Sequence, residues 1–240
     1  MSTRQGGVSA APWDAMNLGS HVGDDPGHVR HNREQWARTL GVRPVFMEQV
    51  HGVDVLQLAH DTPDGQQADA CWTQQPGLAC TVMVADCLPV LLGDEDGQWV
   101  GAAHAGWRGL AGHQGQGVLE SLWRSLSAAG AQTTRVHAWL GACIGPRAFE
   151  VGPEVRDAFV QDGMKLDDFF VPQSGDRFLA DLAALARWRL QRLGIRHIQG
   201  NNSQPPWCTF TQSSRFFSHR RDSARLGGAG RMAASIWLER

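Results

Sequence analysis

Two histidines and one cysteine lie at comparable points of this sequence, each near the end of a run of apolar residues. His51 follows VFMEQV, Cys87 follows LACTVMV, and His104 lies near the end of WVGAAHA. Such runs predict strands, and side chains at the ends of neighbouring strands can converge above one sheet. Imidazole and thiolate are preferred zinc ligands, and catalytic zinc sites combine three protein ligands with one open position. The pattern is therefore compatible with an open zinc site.

The wide spacing of these three residues leaves other interpretations open. They are 36 and 17 residues apart, which is much less specific than paired CxxC motifs. A buried thiol beside two structural histidines is the simplest alternative. Cys87 can also be a nucleophile with His104 or His51 as its base, as in a cysteine hydrolase. The hydrolase and the zinc site are nearly exclusive, because zinc would occupy the thiolate.

The histidines argue against multicopper oxidase chemistry, which relies on clustered HxH ligands. The sequence has ten histidines, and none of them forms an HxH pair. A single blue-copper site would use two histidines, one cysteine and a weak axial methionine. Met47 and Met83 are near the candidate ligands in sequence, but both stand in apolar runs that are typical of a core. Copper is therefore the less favoured metal.

Short strands alternating with helices must position these residues. Asp25-Pro26 predicts a helix start, because proline is favoured at the first helical position, and Gly41 predicts the end of this helix after Leu40. Further helices are predicted over 116–129, within GPEVRDAFVQDG (152–163), and over an apolar stripe at helical spacing from Leu182 to Gly194. Strands are predicted over 45–50, 53–58, 78–84, 88–92, 99–105, 135–141, 195–199 and 231–238.

The apolar runs within the predicted strands are nearly continuous, which is typical of a sheet covered on both faces. No repeat, linker or low-complexity segment separates the elements, so we predict one domain over residues 1–240. The fold class is predicted as α+β (mixed α/β), with mixed β-sheets covered by helices.

The composition excludes several classes of protein. The net charge of −2 is not the basic excess of a general nucleic-acid binder. No stretch approaches the roughly 18 apolar residues of a membrane span, and no secretory signal is visible, so we expect a cytoplasmic protein without membrane contact. Five cysteines without a CxxC motif argue against a disulfide framework. We assign four of them to packing: Cys71, Cys80, Cys143 and Cys208.

Five motifs in this sequence resemble those of the YfiH/laccase-domain family, and they occur in the family's order. They are EQVHG (48–52), ADCLPVLL (85–92), HAGWRGL (104–110), GACIGPRAFEVG (141–152) and CTFTQSSRFFSHRRD (208–222). STRQGGVS and NLGSHVGDD near the start match as well, so the resemblance covers essentially the whole chain. The spacer between RRD and the GR at 230–231 is longer than in many members, which predicts a changed loop over the site.

The resemblance implies a zinc enzyme whose metal ligands are His51, Cys87 and His104. It also implies phosphorolysis of adenosine, inosine and guanosine to free base and ribose 1-phosphate. Deamination of adenosine and phosphorolysis of methylthioadenosine would accompany this activity. Members have been called polyphenol oxidase, purine nucleoside phosphorylase and peptidoglycan editing factor. The last name implies removal of wrongly incorporated serine from muropeptide precursors, so a UDP-linked precursor is a further partner that the resemblance implies.

Four further residues are candidates for catalysis or substrate binding. Asp86, beside Cys87, is a candidate for proton transfer, with a turn cap as the alternative. Arg108 is a candidate for phosphate, which a guanidinium can bind with two parallel hydrogen bonds, and a structural salt bridge is its alternative. Arg220 belongs to an arginine- and phenylalanine-rich segment that fits a purine and phosphate pocket better than RNA stacking. Asn17 stands in a glycine-bearing loop, where asparagine is also common for turn reasons.

Two glycines in HAGWRGL have a predicted structural purpose. Gly106 and Gly109 flank Trp107 and Arg108, and glycine lets backbone approach other groups closely. We therefore expect both glycines to let the chain pass close to the metal and its ligands.

Overall fold

The computed structural model describes residues 1–160 and 164–239. Within these ranges the chain forms twelve strands and six α-helices, besides four short helical turns of other types. The strands are β1 (Arg43–Phe46), β2 (Val55–Gln57), β3 (Ala70–Thr73), β4 (Leu78–Val84), β5 (Leu88–Asp94), β6 (Val100–Ala105), β7 (Val136–Leu140), β8 (Glu150–Val151), β9 (Phe170–Pro172), β10 (Phe178–Ala180), β11 (His197–Gly200) and β12 (Met232–Trp237). The helices are α1 (Pro26–Leu40), α2 (Trp107–Ala111), α3 (Val118–Ala128), α4 (Pro153–Asp157), α5 (Leu182–Arg192) and α6 (Ala224–Leu226).

The strands form one large sheet and two small ones. The large sheet has the order β11-β7-β5-β6-β3-β2 and mixes parallel with antiparallel pairs. A three-stranded sheet has the order β1-β4-β12, with β1 parallel and β12 antiparallel to β4. The third sheet, β8-β10-β9, is antiparallel. The predicted α+β class with mixed sheets is confirmed.

The large sheet is covered on both faces, as its sequence predicts. On β5, Val90 and Leu92 pack in the cluster that contains Leu119 and Leu122 of α3. Leu91, between them, packs instead with the sheet that contains β4. Successive side chains of a strand point to opposite faces. Strand β5 therefore presents apolar side chains to both faces of the sheet, and both faces are covered. Complete burial of one such leucine contributes about 1.5–3 kcal/mol.

Helix α1 begins and ends where the sequence predicts. The Asp25 carboxylate accepts hydrogen bonds from the backbone N–H of Gly27 and His28, and Pro26 occupies the first turn. Gly41 ends the helix in the left-handed conformation at φ 70°, which glycine adopts without steric cost. The predicted helix is therefore confirmed at both ends.

Several other predicted elements differ in extent from those observed. Strands β1 and β2 are shorter than the predicted 45–50 and 53–58, because the chain between them folds into the loop that carries His51. The short predicted helix at 152–163 is observed as α4, and residues 161–163 lie outside the described residues. Strand β3, helix α2 and the β8-β10-β9 sheet have no counterpart in the prediction. Each is short, so it carries little periodic signal.

Among the described residues, each helix is too short or too polar to cross a lipid bilayer.

Candidate metal centre and substrate pocket

His51, Cys87 and His104 meet at one point of the structure. Their ligand atoms all lie within 4.8 Å of one another, and the Cys87 Sγ is 3.6 Å from the His51 Nε2. The two imidazole rings lie edge to face, with centroids 4.8 Å apart. The predicted convergence is confirmed, and the cluster can hold a metal ion.

The three side chains come from two sheets, whereas the sequence predicts that they stand above one sheet. His104 is on β6 of the large sheet, and Cys87 lies where the chain crosses from β4 of one sheet to β5 of another. His51 does not follow a strand directly, because β1 ends at Phe46. The expectation of three strand ends on one sheet is wrong for His51. The cluster lies instead at the junction of two packed sheets.

Asp69, which the sequence analysis missed, connects two of the three candidate ligands. This fully buried carboxylate accepts a hydrogen bond of 2.8 Å from the His104 Nδ1. It also accepts three backbone N–H groups of the loop 50–52, at 3.1 Å from Val50, 3.0 Å from His51 and 2.7 Å from Gly52. Because a carboxylate can only accept here, Nδ1 carries the proton and Nε2 is the nitrogen of His104 that remains for a metal.

Two residues next to or within the cluster have unusual backbone conformations. His51 has φ 63° and Asp86 has φ 87°, a region that side-chain-bearing residues rarely adopt. Asp69 holds the His51 loop through its three backbone hydrogen bonds. The carbonyl of Asp86 accepts a hydrogen bond of 2.9 Å from the N–H of Ile144. Strain of this kind persists where surrounding contacts over-determine it, and it clusters at functional sites.

The structure confirms that Gly106 and Gly109 let the chain pass close to neighbouring groups. A Cβ on Gly106 would lie 2.9 Å from the His51 Cδ2 and 3.0 Å from the Cys87 Sγ. A Cβ on Gly109 would lie 2.7 Å from the carbonyl oxygen of Gly52. The turn after β6 therefore lies directly against the His51, Cys87 and His104 cluster, and a side chain at Gly106 would displace His51 and Cys87.

The protonation states of Cys87 and His104 are coupled. Burial acts to raise the pKa of the Cys87 thiol, but the charge of His104 and hydrogen bonds from His104 and His51 outweigh it and lower the pKa to about 6. Burial acts to lower the pKa of His104, but the Cys87 thiolate and the Asp69 carboxylate raise it to about 9. Without a metal, the pair is a thiolate and an imidazolium near neutral pH. A metal ion would bind the thiolate directly and displace the imidazolium proton.

The ligand cluster opens into a pocket of about 400 Å³. One part of its wall is apolar and another part carries cationic or titratable side chains. The apolar part comes from Met83, Ala85, Trp107, Ile144, Phe149 and Leu182, and the other part comes from His21, Arg108, His219, Arg220 and Arg231. A larger groove of about 960 Å³ lies between α1 and β1, but no histidine or cysteine lines it. The smaller pocket is therefore the candidate for chemistry.

Both predicted substrate arginines line this pocket. Arg108 is exposed and lies over the Trp107 ring, with its guanidinium carbon 4.4 Å from the ring centroid. Among the described residues it forms no ion pair, so the alternative of a structural salt bridge is not observed. The Arg220 guanidinium donates to the carbonyl of Glu150 at 2.9 Å. Trp107, which had no predicted role beyond packing, supports Arg108 at the pocket wall.

Asp86 also lines the pocket, but its carboxylate is heavily hydrogen-bonded. It accepts from the Thr209 hydroxyl at 2.6 Å, the Ser218 hydroxyl at 3.0 Å and the Arg220 backbone N–H at 2.7 Å. The carboxylate therefore holds the C-terminal segment next to the cluster. This structural role resembles the turn cap that was the alternative prediction for Asp86. Transfer of a proton by Asp86 stays a prediction.

Asn17 does not line the pocket, so the structure gives no support to direct substrate contact by its side chain. It is fully buried, and its amide donates to Gly19 and to the Asp24 carboxylate. Its carbonyl oxygen accepts the backbone N–H groups of Gly19 and Arg231 at 2.9 and 2.8 Å. The side chain is satisfied by protein groups and has no group left for a ligand. Asn17 instead fixes the backbone of Arg231, which does line the pocket.

The four cysteines assigned to packing are buried free thiols, as predicted: Cys71, Cys80, Cys143 and Cys208.

Comparison with known proteins gives the following matches. The family model described as multi-copper polyphenol oxidoreductase laccase matches residues 1–239. A protein named purine nucleoside phosphorylase YfiH from Escherichia coli is 48% identical over 239 residues, covering 99% of this chain and 92% of its own length. A purine nucleoside phosphorylase of Pseudomonas aeruginosa is 47% identical over 240 residues, with 100% and 92% covered.

Solved structures match over the same extent. A crystal structure of a Neisseria meningitidis protein is 40% identical, with a TM-score of 0.88, and covers 99% of this chain and 92% of that one. The YfiH protein of Bacillus licheniformis has a TM-score of 0.90 at 29% identity, covering 99% and 91%. These matches confirm the resemblance and the fold class.

Proposed function

This chain belongs to the multi-copper polyphenol oxidoreductase laccase family, and it is similar to a YfiH protein. We propose that it is a zinc-dependent purine nucleoside phosphorylase. Its substrates would be adenosine, inosine or guanosine together with phosphate, and its products would be free base and ribose 1-phosphate. The names of relatives at 47–48% identity support the nucleoside and phosphate specificity.

The observation that carries the proposal is the His51, Cys87 and His104 cluster at the base of a pocket. Two imidazoles and one thiolate match the donors of a catalytic zinc site that keeps one open position. The Asp69–His104 hydrogen bond is the carboxylate contact that commonly orients a metal-ligating histidine. Zinc bound there would supply a Lewis acid that polarises an oxygen of substrate or water.

The pocket offers the two kinds of surface that nucleoside phosphorolysis requires. Apolar side chains such as Ile144 and Phe149 suit the faces of a purine, and cationic side chains suit phosphate. The volume of about 400 Å³ lies within the range of small-molecule pockets. Deamination of adenosine and phosphorolysis of methylthioadenosine are further activities that we propose for the same site.

The test is an assay of inosine turnover with and without phosphate, combined with the metal content of the purified protein. We expect about one zinc per chain, as for a single three-ligand site, and no copper. Hypoxanthine and ribose 1-phosphate should form only when phosphate is present, and a chelator should stop their formation. Phosphate-independent release of the base, or copper as the bound metal, would contradict the proposal.

A cysteine hydrolase acting on muropeptide precursors is a second candidate function. The neighbouring side chains Cys87, His104 and Asp69 favour it, because they have the order of a nucleophile, a base and an orienting carboxylate. A chelator separates the two functions, because a cysteine hydrolase keeps its activity when the metal is removed. Tight nucleoside binding without any turnover would indicate a binding module instead.

A further inference from the structure

The Arg231 side chain reaches the pocket wall from the segment that precedes β12. Its aliphatic stem packs on Gly19, where a Cβ would lie 2.7 Å from the Arg231 Cγ. Its Nη1 donates to the carbonyl oxygens of Ala229 and Gly230 at 2.9 and 3.3 Å. The backbone N–H of Arg231 donates a hydrogen bond of 2.8 Å to the side-chain oxygen of Asn17. Two backbone carbonyls therefore hold the guanidinium, and the buried Asn17 side chain holds the backbone of the same residue.

This guanidinium has no carboxylate partner in the part of the chain that the structure describes. Three arginines with little exposure, Arg4, Arg189 and Arg221, each form an ion pair with an aspartate or glutamate. Asp86, also on the pocket wall, is already occupied by Thr209, Ser218 and the Arg220 N–H. A guanidinium carries five N–H donors, and here the Nη1 group alone donates to described protein atoms. Arg231 lines the pocket, so its remaining donors are the ones available to a ligand there.

Two histidines on the same pocket wall surround this charge. Burial and the neighbouring Arg231 both lower the pKa of His21 and of His219. The His219 Nδ1 lies 2.9 Å from the Ser223 hydroxyl, which leaves its other ring nitrogen for a further contact. Asp86 and Cys87 are the negative groups that act on Arg231, and both are already engaged, Asp86 by three hydrogen bonds and Cys87 by the two histidines. Arg231, His21 and His219 also repel one another, and an anion between them would relieve this repulsion.

We propose that Arg231, together with His21 and His219, forms the phosphate-binding subsite of the pocket. This inference rests on the proposed function, in which inorganic phosphate is the second substrate. Arg231 fits the role better than Arg108, which is exposed, or Arg220, whose guanidinium donates to the Glu150 carbonyl. A charge that is partly withdrawn from water binds an anion more strongly than one at the surface. Asn17 is then a positioning residue for the subsite.

The test replaces Arg231 and measures binding of inorganic phosphate directly, by phosphorus NMR or calorimetry on the zinc-loaded protein. Arg231→Met keeps the length of the stem and removes the charge. We expect phosphate affinity to fall about 10- to 100-fold, as for the loss of a hydrogen-bonded charge. Arg231→Lys should recover part of this loss, because it restores the charge without the planar fork. Arg225→Met, at an exposed position of α6, is the matched control and should bind phosphate normally.

Steady-state kinetics give a second readout that a merely structural role would not produce. Arg231→Met should raise the KM for phosphate while the KM for inosine and the zinc content stay unchanged. If Arg231→Met does not fold, His219→Gln provides a second test of the subsite, because His219 is exposed and its replacement should not affect folding. We expect it to weaken phosphate binding by about two- to tenfold, the worth of one neutral hydrogen bond.

Two outcomes would overturn the subsite, and they differ from failure of the proposed function. Unchanged phosphate affinity in folded Arg231→Met protein would overturn it, and so would an absence of phosphate binding by the wild-type protein. If the wild-type protein binds phosphate through Arg231 but does not cleave inosine, the subsite stands and the phosphorylase proposal fails. If inosine phosphorolysis proceeds normally in Arg231→Met, the subsite fails and the phosphorylase proposal stands.

Discussion

Replacement of Asp69 by asparagine should weaken both the metal centre and the fold around it. The Asp69 carboxylate accepts four hydrogen bonds, two at each oxygen. The His51 N–H and the His104 Nδ1 share one oxygen, and the Val50 and Gly52 N–H groups share the other. Asparagine replaces one of these oxygens by an amide nitrogen that only donates. Whichever way the amide turns, two of the four donors lose their acceptor.

The size of the effect follows from these two lost contacts. A hydrogen bond to a charged group contributes about 1.5–3 kcal/mol, so two of them predict a loss of about 3–6 kcal/mol in the free energy of unfolding. If the amide oxygen faces the 50–52 loop, His104 also loses the acceptor that fixes its tautomer. Loss of such a contact lowers metal affinity about 10- to 100-fold.

The assay is competition for zinc between the protein and a chromophoric chelator, at a temperature where circular dichroism shows folded Asp69→Asn protein. Asp94→Asn is the matched control, because the Asp94 carboxylate also accepts two backbone N–H groups but lies at the opposite end of β5 from Cys87. Asp94→Asn should bind zinc normally. If folded Asp69→Asn protein binds zinc as tightly as the wild-type protein, the role assigned to Asp69 is wrong.

Three further predictions follow from the same structure. Gly106→Ala should lose most of its zinc, because its Cβ would lie 2.9 Å from the His51 ring and 3.0 Å from the Cys87 sulfur; metal analysis checks this, and full zinc occupancy would contradict it. In metal-free protein the Cys87 thiolate dominates above a pH of about 6 and is lost by protonation below it. Alkylation of Cys87 by iodoacetamide should therefore be half-maximal near that pH, and His104→Gln should move the midpoint upward; an unmoved midpoint would contradict the coupling. Leu122→Ala should lower the free energy of unfolding by about 2–5 kcal/mol while leaving the zinc content unchanged, which urea unfolding and metal analysis would test together.

The regular elements were predictable where apolar residues form long patterns. Strand β4 is observed over Leu78–Val84, the predicted range, because all seven of its residues are buried. The loop that carries His51 was not predictable in the same way. Its conformation depends on hydrogen bonds to Asp69, a contact across 18 residues that no local pattern expresses. A single aspartate in the apolar stretch ADACW was the one signal that could have pointed to it.

The convergence of the candidate metal ligands was easier to predict from sequence than the lining of the pocket. A cluster of histidine and cysteine side chains is typical of a metal site. His51, Cys87 and His104 could therefore be named as candidate ligands from residue type and motif. Arginine is common on surfaces, and its role depends on what surrounds it. Arg231 lies on the pocket wall because a buried Asn17, more than 200 residues earlier in the chain, holds its backbone. Sequence alone did not separate Arg231 from the exposed Arg108.

The most direct test of the central claim is one measurement on His104→Ala protein, made beside the wild-type protein. Bound zinc and phosphate-dependent formation of ribose 1-phosphate from inosine are determined on the same samples. Because His104 is both a candidate ligand and the partner of Asp69 and Cys87, we predict that zinc and phosphorolysis are lost together. A His104→Ala protein that keeps its zinc and turns over inosine at the wild-type rate would contradict the account.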